Sequence, residues 1–256
     1  DAMNIVDPDL TIITSISLDH QDWLGNTRAE IAREKAGIMR AGVSCVVVDR
    51  DPPESVYEYA AELGASLSII GRDFDPSEGI DTVLPLDSFD AAQQASKLLG
   101  WDVSSSQEIG RTTRLTGRRT VIEDKCEVLL DVAHNPAAAI SLAEHLRAHW
   151  DGRDIHAVIG MYKDKDIESV SEILMPLFKT CHLASLGEAR GEDADDLLRR
   201  LSVKPTGKVE TYVSIGDALE GARKEANPAD LIMVCGSFPV VSGVLHLLGQ
   251  VALTKN

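Results

Sequence analysis

The segment Thr14–Met39 reads TSISLDHQDWLGNTRAEIAREKAGIM, placing Asp19, His20 and Asp22 soon after the apolar run Leu10–Ser15. An imidazole and carboxylates at a strand's exit form a donor set for a divalent cation. The same DHxD spacing also arises as a solvated polar loop, so spacing alone leaves both readings open. Lys35 follows on a helical pattern, with Ile31, Ala32, Ile38 and Met39 one turn away and no carboxylate at ion-pair spacing. Such a lysine can lay its stem along the apolar face and send its ammonium to water.

A second segment, Leu129–Ala138 (LLDVAHNPAA), brings Asp131 to the end of a buried strand, with His134 and Asn135 at the opening of a helix. Helix N-termini favour anions, and a carboxylate after a strand commonly holds a ribose hydroxyl. Asn135-Pro136 is equally a plain helix cap with proline at the first helical position. That accounts for Asn135 and leaves Asp131 and His134 unexplained. The third group is Gly160–Asp166 (GMYKDKD) with Cys235–Phe238 (CGSF), each following a buried strand. Lys163 and Lys165 can meet a substrate carboxylate or belong to an ordinary charged loop. Ser237 can donate to a ligand or cap the final helix.

The elements that must hold these groups alternate along the chain. Apolar runs at Leu10–Ser15, Val43–Val48, Glu127–Val132, Ile155–Met161, Thr180–Leu186, Val209–Val213 and Leu231–Cys235 are separated by amphipathic stretches such as Pro136–Trp150 and Ile167–Phe178. The pattern predicts an α/β fold with a mainly parallel sheet covered on both faces. Right-handed crossovers then gather the loops after the strands along one edge, where such sheets bind ligands. Thr27–Glu30 and Ser105–Glu108 fit capping boxes, and Ser214–Asp217 fits the acidic variant. A boundary falls near Thr113–Arg119, giving a first domain over 1–113, a linker over 114–119 and a complete smaller α/β domain over 120–256.

Over 256 residues the formal charge is −16. Such a surface repels polyphosphate backbones, which argues against nucleic-acid and anionic-membrane partners and leaves small anionic substrates dependent on local cations. No apolar run is long enough to span a bilayer, and nothing at the start resembles a signal peptide. Cys45, Cys126, Cys181 and Cys235 form no CxxC pair, so they read as buried reduced thiols of a cytoplasmic protein rather than zinc ligands. GxGxxG, GxxxxGK[ST] and GxSxG motifs are all missing from the chain.

Together these segments resemble the bifunctional dihydrofolate synthase/folylpolyglutamate synthase family of the Mur ligase superfamily. The carrying residues are Asp1–Pro8, Ser17–His20 with Trp23–Gly25, Arg33–Ile38, Leu115–Arg118, Asp131–Pro136, Ile159–Met161 with Asp164–Asp166, and Cys235–Phe238. The resemblance implies the later part of a Mur-type central ATPase domain, its phosphate loop lying upstream of Asp1, followed by a Rossmann-like glutamate-ligase domain. It implies ATP and Mg2+ as cofactors, and a dihydropteroate or tetrahydrofolate species and L-glutamate as partners, in a monomer. His20 would hold Mg2+, and Lys35, carried as a carbamate, would support it. Asp90, Arg118 and Asp131 would hold ATP. His134 and Ser237 would lie near the glutamate and the reacting acyl group, Lys165 at the glutamate carboxylate, and Asp1 near the pterin.

The implied reaction is ATP-dependent ligation through an acyl phosphate, with this chain inactive alone. A Mur-type ligase for a cell-wall precursor and a non-catalytic nucleotide-binding module are the alternatives. Three departures stand out: Met3 where a threonine is usual, Thr116 in place of a proline, and Asp90 in place of an adenine-reading asparagine. An aspartate accepts from the adenine amino group but does not donate as an amide does.

Overall fold

A computed structural model describes residues 2–18, 25, 27–80 and 82–249, and it divides the chain into two compact units, Asp1–Arg114 and Leu115–Asn256. In the first, β1 (Thr11–Ile13), β2 (Ser44–Val47) and β3 (Ser66–Ile69) form a parallel sheet in that order. Alternation along β2 sorts the two faces. Cys45 and Val47 pack with α1 (Arg28–Ala36) and α2 (Glu54–Leu63), while Val46 and Val48 meet Ala91 and Ala95 of α3 (Leu86–Leu98). Thr27 caps α1 with the reciprocal Glu30 bond, so that capping box forms as its spacing predicts.

The box at Ser105 does not form. Its helix, α4 (Ser106–Thr112), lacks a side-chain cap. Asp102 takes the local donors instead, accepting from Ser104 N at 2.9 Å and Ser104 Oγ at 2.8 Å, and Ser105 stays out of the extended conformation a cap requires.

The second unit carries a six-stranded sheet in the order β4 (Thr120–Glu123), β5 (Glu127–Leu130), β9 (Leu231–Cys235), β6 (Ile155–Ile159), β7 (Thr180–Ala184), β8 (Val209–Tyr212). β4 is antiparallel to β5, and every other pairing is parallel. β6, β7 and β9 are buried at all five positions, as unbroken apolar runs covered on both faces must be. One face, through Leu129, Ala157, Leu183 and Met233, packs on α5 (Pro136–Trp150), α6 (Ile167–Leu174) and α7 (Ala194–Arg200). The other, through Val128, Val158, Ala184 and Ile232, packs on α8 (Ile215–Glu225) and α9 (Phe238–Leu247). The mainly parallel α/β architecture expected from the sequence is borne out. Ser214 caps α8 by accepting from Asp217 N.

All four cysteines are buried and free. Burial raises the Cys45 thiol to about 11 and pushes Cys181 and Cys235 higher still, which keeps them protonated and inert. Among the described residues no helix is long and apolar enough to cross a membrane.

Candidate active site

β5 continues into α5 on one face of the sheet, and its neighbour β9 continues into α9 on the other. Adjacent parallel strands whose continuations part in this way open a crevice beyond their carboxyl ends. Asp131 stands at that tip on β5 and Ser237 at the tip of β9. The turn Leu115–Arg119, which leads into antiparallel β4, reaches the same edge. Gly117 accepts from Val132 N at 3.0 Å, and Arg118 N donates back to Leu115 O at 2.9 Å.

Asp131 is buried and organises this corner. Its carboxylate oxygens accept from Arg119 N at 3.1 Å and Ala133 N at 2.9 Å, while its own N–H donates to Val234 O at 3.0 Å. Burial pushes its carboxyl above the usual carboxylate range, against the downward pull of those amides and of Arg118 and Arg119. Arg118, half-buried, has no side-chain hydrogen bond or ion pair among the described residues. Arg119 sits at φ +46, in the left-handed region, and is tied down by Nη2 donation to Ser141 Oγ at 2.8 Å.

His134 Nδ1 lies 2.8 Å from Val132 O, and Asn135 caps α5 by accepting from Ala138 N at 2.9 Å. Ser237, at 3 % exposure, occupies the N-cap position of α9 without capping it; its hydroxyl donates to Gly160 O at 2.7 Å and ties the tip of β9 to that of β6. The capping alternative for Ser237 is therefore set aside. Lys165 is buried 3.4 Å from Asp164 Oδ2, which corrects the picture of an ordinary solvated loop.

What braces that loop is not marked by any local motif. Arg200, in the last turn of α7, donates to Lys163 O and Lys165 O, both at 2.9 Å, and pairs with Glu168 and Glu192. Its partners lie up to 37 residues away, so no local motif marks it.

In the first unit, Asp1 and His20 lie outside the described residues. Lys35 is half-buried on α1 and makes no ion pair among the described residues. Asp90 is buried, and both carboxylate oxygens accept from Ser77 N, at 3.1 and 3.2 Å, so the carboxylate fixes a loop of its own unit. Met3 is exposed in a 3-10 turn, Ala2–Ile5. The chain leaving β1 is held by a clamp the spacing did not reveal: Asp49 Oδ2 accepts from Ile16 N, and Arg28 Nε donates to Ile16 O, each at 2.8 Å. Arg28 Nη2 and Asp49 Oδ2 close the clamp at 3.0 Å. Asp49→Ala leaves the buried Ile16 N–H without its acceptor and should cost about 2 kcal/mol, measured by urea unfolding; an unchanged midpoint would mean the clamp contributes nothing.

Residues 114–238 match the family described as Mur ligase, glutamate ligase domain. The second unit is a domain of that class. Over 97% of its length the chain is 34% identical to the dihydrofolate synthase/folylpolyglutamate synthase of Escherichia coli, covering 62% of that relative, and 32% identical to the Haemophilus influenzae enzyme of the same name, covering 94% of the chain and 64% of the relative. Its fold superposes on that of E. coli FolC in complex with DHPP and ADP with a TM-score of 0.88, at 32% identity over 97% of the chain and 63% of that structure. A bifunctional folylpolyglutamate synthase/dihydrofolate synthase with Mn, AMPPNP and L-glutamate bound gives 0.87, at 34% identity over 97% and 64%. The chain is similar over nearly its whole length to dihydrofolate synthase/folylpolyglutamate synthases, and it spans less than two thirds of the length of these relatives.

Proposed function

We propose that the protein containing this chain joins L-glutamate to dihydropteroate, to a folylpolyglutamate, or to both, at the expense of ATP. The observation that carries this reading is the corner around Asp131, with the Asp131–Pro136 motif at a strand switch point beside Arg118 and Ser237. The chain's own residues suit the nucleotide. Each Asp131 oxygen receives one backbone N–H, which leaves lone pairs for a ribose hydroxyl. Arg118, which makes no side-chain hydrogen bond or ion pair among the described residues and acts on Asp131 only through its charge, is a cation available to phosphate. Among the described residues Lys35 is an amine without an ion pair, as a carbamate-forming lysine must be. Magnesium, held by His20 and supported by Lys35, would neutralise charge on the phosphates.

A carboxylate is a poor acylating agent, so the terminal phosphoryl of ATP first passes to the acid and ADP leaves. The glutamate amine then attacks the acyl carbon, and phosphate departs with the electron pair of the broken C–O bond. Lys165, held by Arg200's grip on its loop, meets the glutamate carboxylate. His134 lies near the incoming amine. Ser237 holds the tips of β9 and β6 together beside the acyl group. The charge of −16 supports small-molecule work away from nucleic acid and anionic membranes.

Phosphate release with dihydropteroate, glutamate and ATP–Mg2+ tests the reading, with a muramyl nucleotide as the competing acid. The full-length protein should turn over the pterin, and this 256-residue chain, which lacks a phosphate loop motif, should not. Turnover with the muramyl nucleotide alone would replace the proposal. Lys35→Ala should lower kcat about 10–100-fold, the usual cost of removing a metal site's support; unchanged kinetics would remove Lys35 from the mechanism.

A further inference from the structure

Beneath α8, toward the edge of the second sheet opposite Asp131, polar side chains interrupt the apolar face. His156 on β6 is 2 % exposed and His182 on β7 is wholly buried, and the Thr180 hydroxyl sits between them, 2.8 Å from His156 Nδ1 and 3.2 Å from His182 Nε2. Glu225, at the end of α8, brings Oε2 to 3.8 Å from His182 Nε2.

The outer nitrogens fix the tautomers. His156 Nε2 faces Asp230 Oδ2 at 3.3 Å, which places a proton there and, in the neutral ring, leaves Nδ1 as a lone pair. Tyr212 donates its hydroxyl proton to Glu210 at 2.6 Å, so its oxygen accepts from His182 Nδ1 at 3.1 Å, and His182 Nε2 is also a lone pair. Burial lowers the affinity of His182 for a second proton. In the neutral rings both lone pairs face the Thr180 hydroxyl, and a carboxylate oxygen of Glu225 stands beside His182.

We propose that His156, His182 and Glu225 form a binding site for one zinc-class divalent cation. Two imidazoles and a carboxylate are a zinc donor set, and each imidazole already has the outer hydrogen-bond partner that orients metal-bound histidines. The ligand atoms lie within 4.8 Å of one another. A tetrahedral site with zinc–nitrogen bonds of about 2.1 Å spaces them at about 3.4 Å, so side-chain adjustments of an ångström or so close it. Glu225 pairs with Lys208 through its other oxygen, Oε1, leaving Oε2 for the metal. A polar cavity lined by Glu225, Gly221, Tyr212 and Lys208 opens beside the Glu225 side of the cluster.

The test is titration of the metal-free 256-residue chain with Zn2+ against a chromophoric chelator, and with Co2+ as a spectroscopic reporter. One Zn2+ should be retained per chain, and Co2+ should show nitrogen and oxygen ligation without thiolate charge transfer. Glu225→Gln, at a partly exposed helix end, should abolish uptake while the circular dichroism stays unchanged. Tyr212→Phe, which removes only an outer partner, should weaken uptake about 10–100-fold. His145 and His149, whose rings lie 4.2 Å apart on α5, form a second imidazole pair, and His149→Gln should change nothing. No uptake by the unmodified chain, thiolate bands, insensitivity to Glu225→Gln, or loss on His149→Gln would each overturn the proposal; the first outcome would leave the cluster holding a proton only.

Discussion

Gly236→Ala should cost the second unit roughly 3 kcal/mol or more of stability. Two costs coincide at this residue. Its φ of +115 lies where side chains are strained whatever the space around them. An added Cβ would also stand 2.6 Å from Gly160 O and 2.8 Å from Met161 Cγ. The carbonyl is the acceptor of the Ser237 hydroxyl, so the clash falls on the bond that ties β9 to β6. The strands must part, or Ser237 must turn away.

Gly152→Ala separates the two costs. That glycine has φ +76, and a Cβ there meets nothing within 4 Å, so only the backbone strain of about 1–2 kcal/mol remains. Urea unfolding of the three chains should place Gly236→Ala well below Gly152→Ala. Equal midpoints would show that the contact at the strand tips yields freely. Activity in the full-length protein should fall with Gly236→Ala under conditions where it remains folded, because the loop presenting Ser237 has moved.

Much of this arrangement is legible in the residues themselves. β9 is the run LIMVC without a residue to spare, and Asn135-Pro136 opens α5 as a cap followed by proline must. β3 is harder to see, because Ser66 and Ser68 break its apolar run. Ser105 carries the capping spacing and fails to cap, since the turn that Asp102 ties to Ser104 leaves Ser105 outside the extended conformation a cap requires. The clamps escape inspection for a different reason: Asp49 is 33 residues from Ile16, and Arg200 is 35 from Lys165. Only the tertiary packing of strands and helices brings such pairs together. His156 and His182 pass unnoticed in apolar strands, where a single histidine is ordinary. Their convergence with Glu225 depends on parallel pairing of β6 with β7 and on where α8 ends.

Asp131→Ala is expected to lose about 4 kcal/mol, because two backbone donors depend on one side chain. Arg119 N and Ala133 N each give a single hydrogen bond to its carboxylate, and Arg119 is held in the left-handed region beside it. With the acceptor gone, Arg119 has reason to relax, and the turn bearing Arg118 moves with it. Asp131→Asn retains one carbonyl oxygen and should lose about half as much, since its amide donates where a second acceptor is needed. Urea unfolding reads the structural part. The functional part is read separately, as KM for ATP in the full-length protein at temperatures where Asp131→Asn stays folded. A carboxylate that only pins backbone predicts a stability loss with KM unchanged. One that also accepts from a ribose hydroxyl predicts a rise in KM of about tenfold, equivalent to about 1.4 kcal/mol, beyond any loss of folded protein. If Asp131→Asn is destabilised and binds ATP as before, Asp131 is architecture, and the nucleotide assignment must pass to Arg118 and its neighbours.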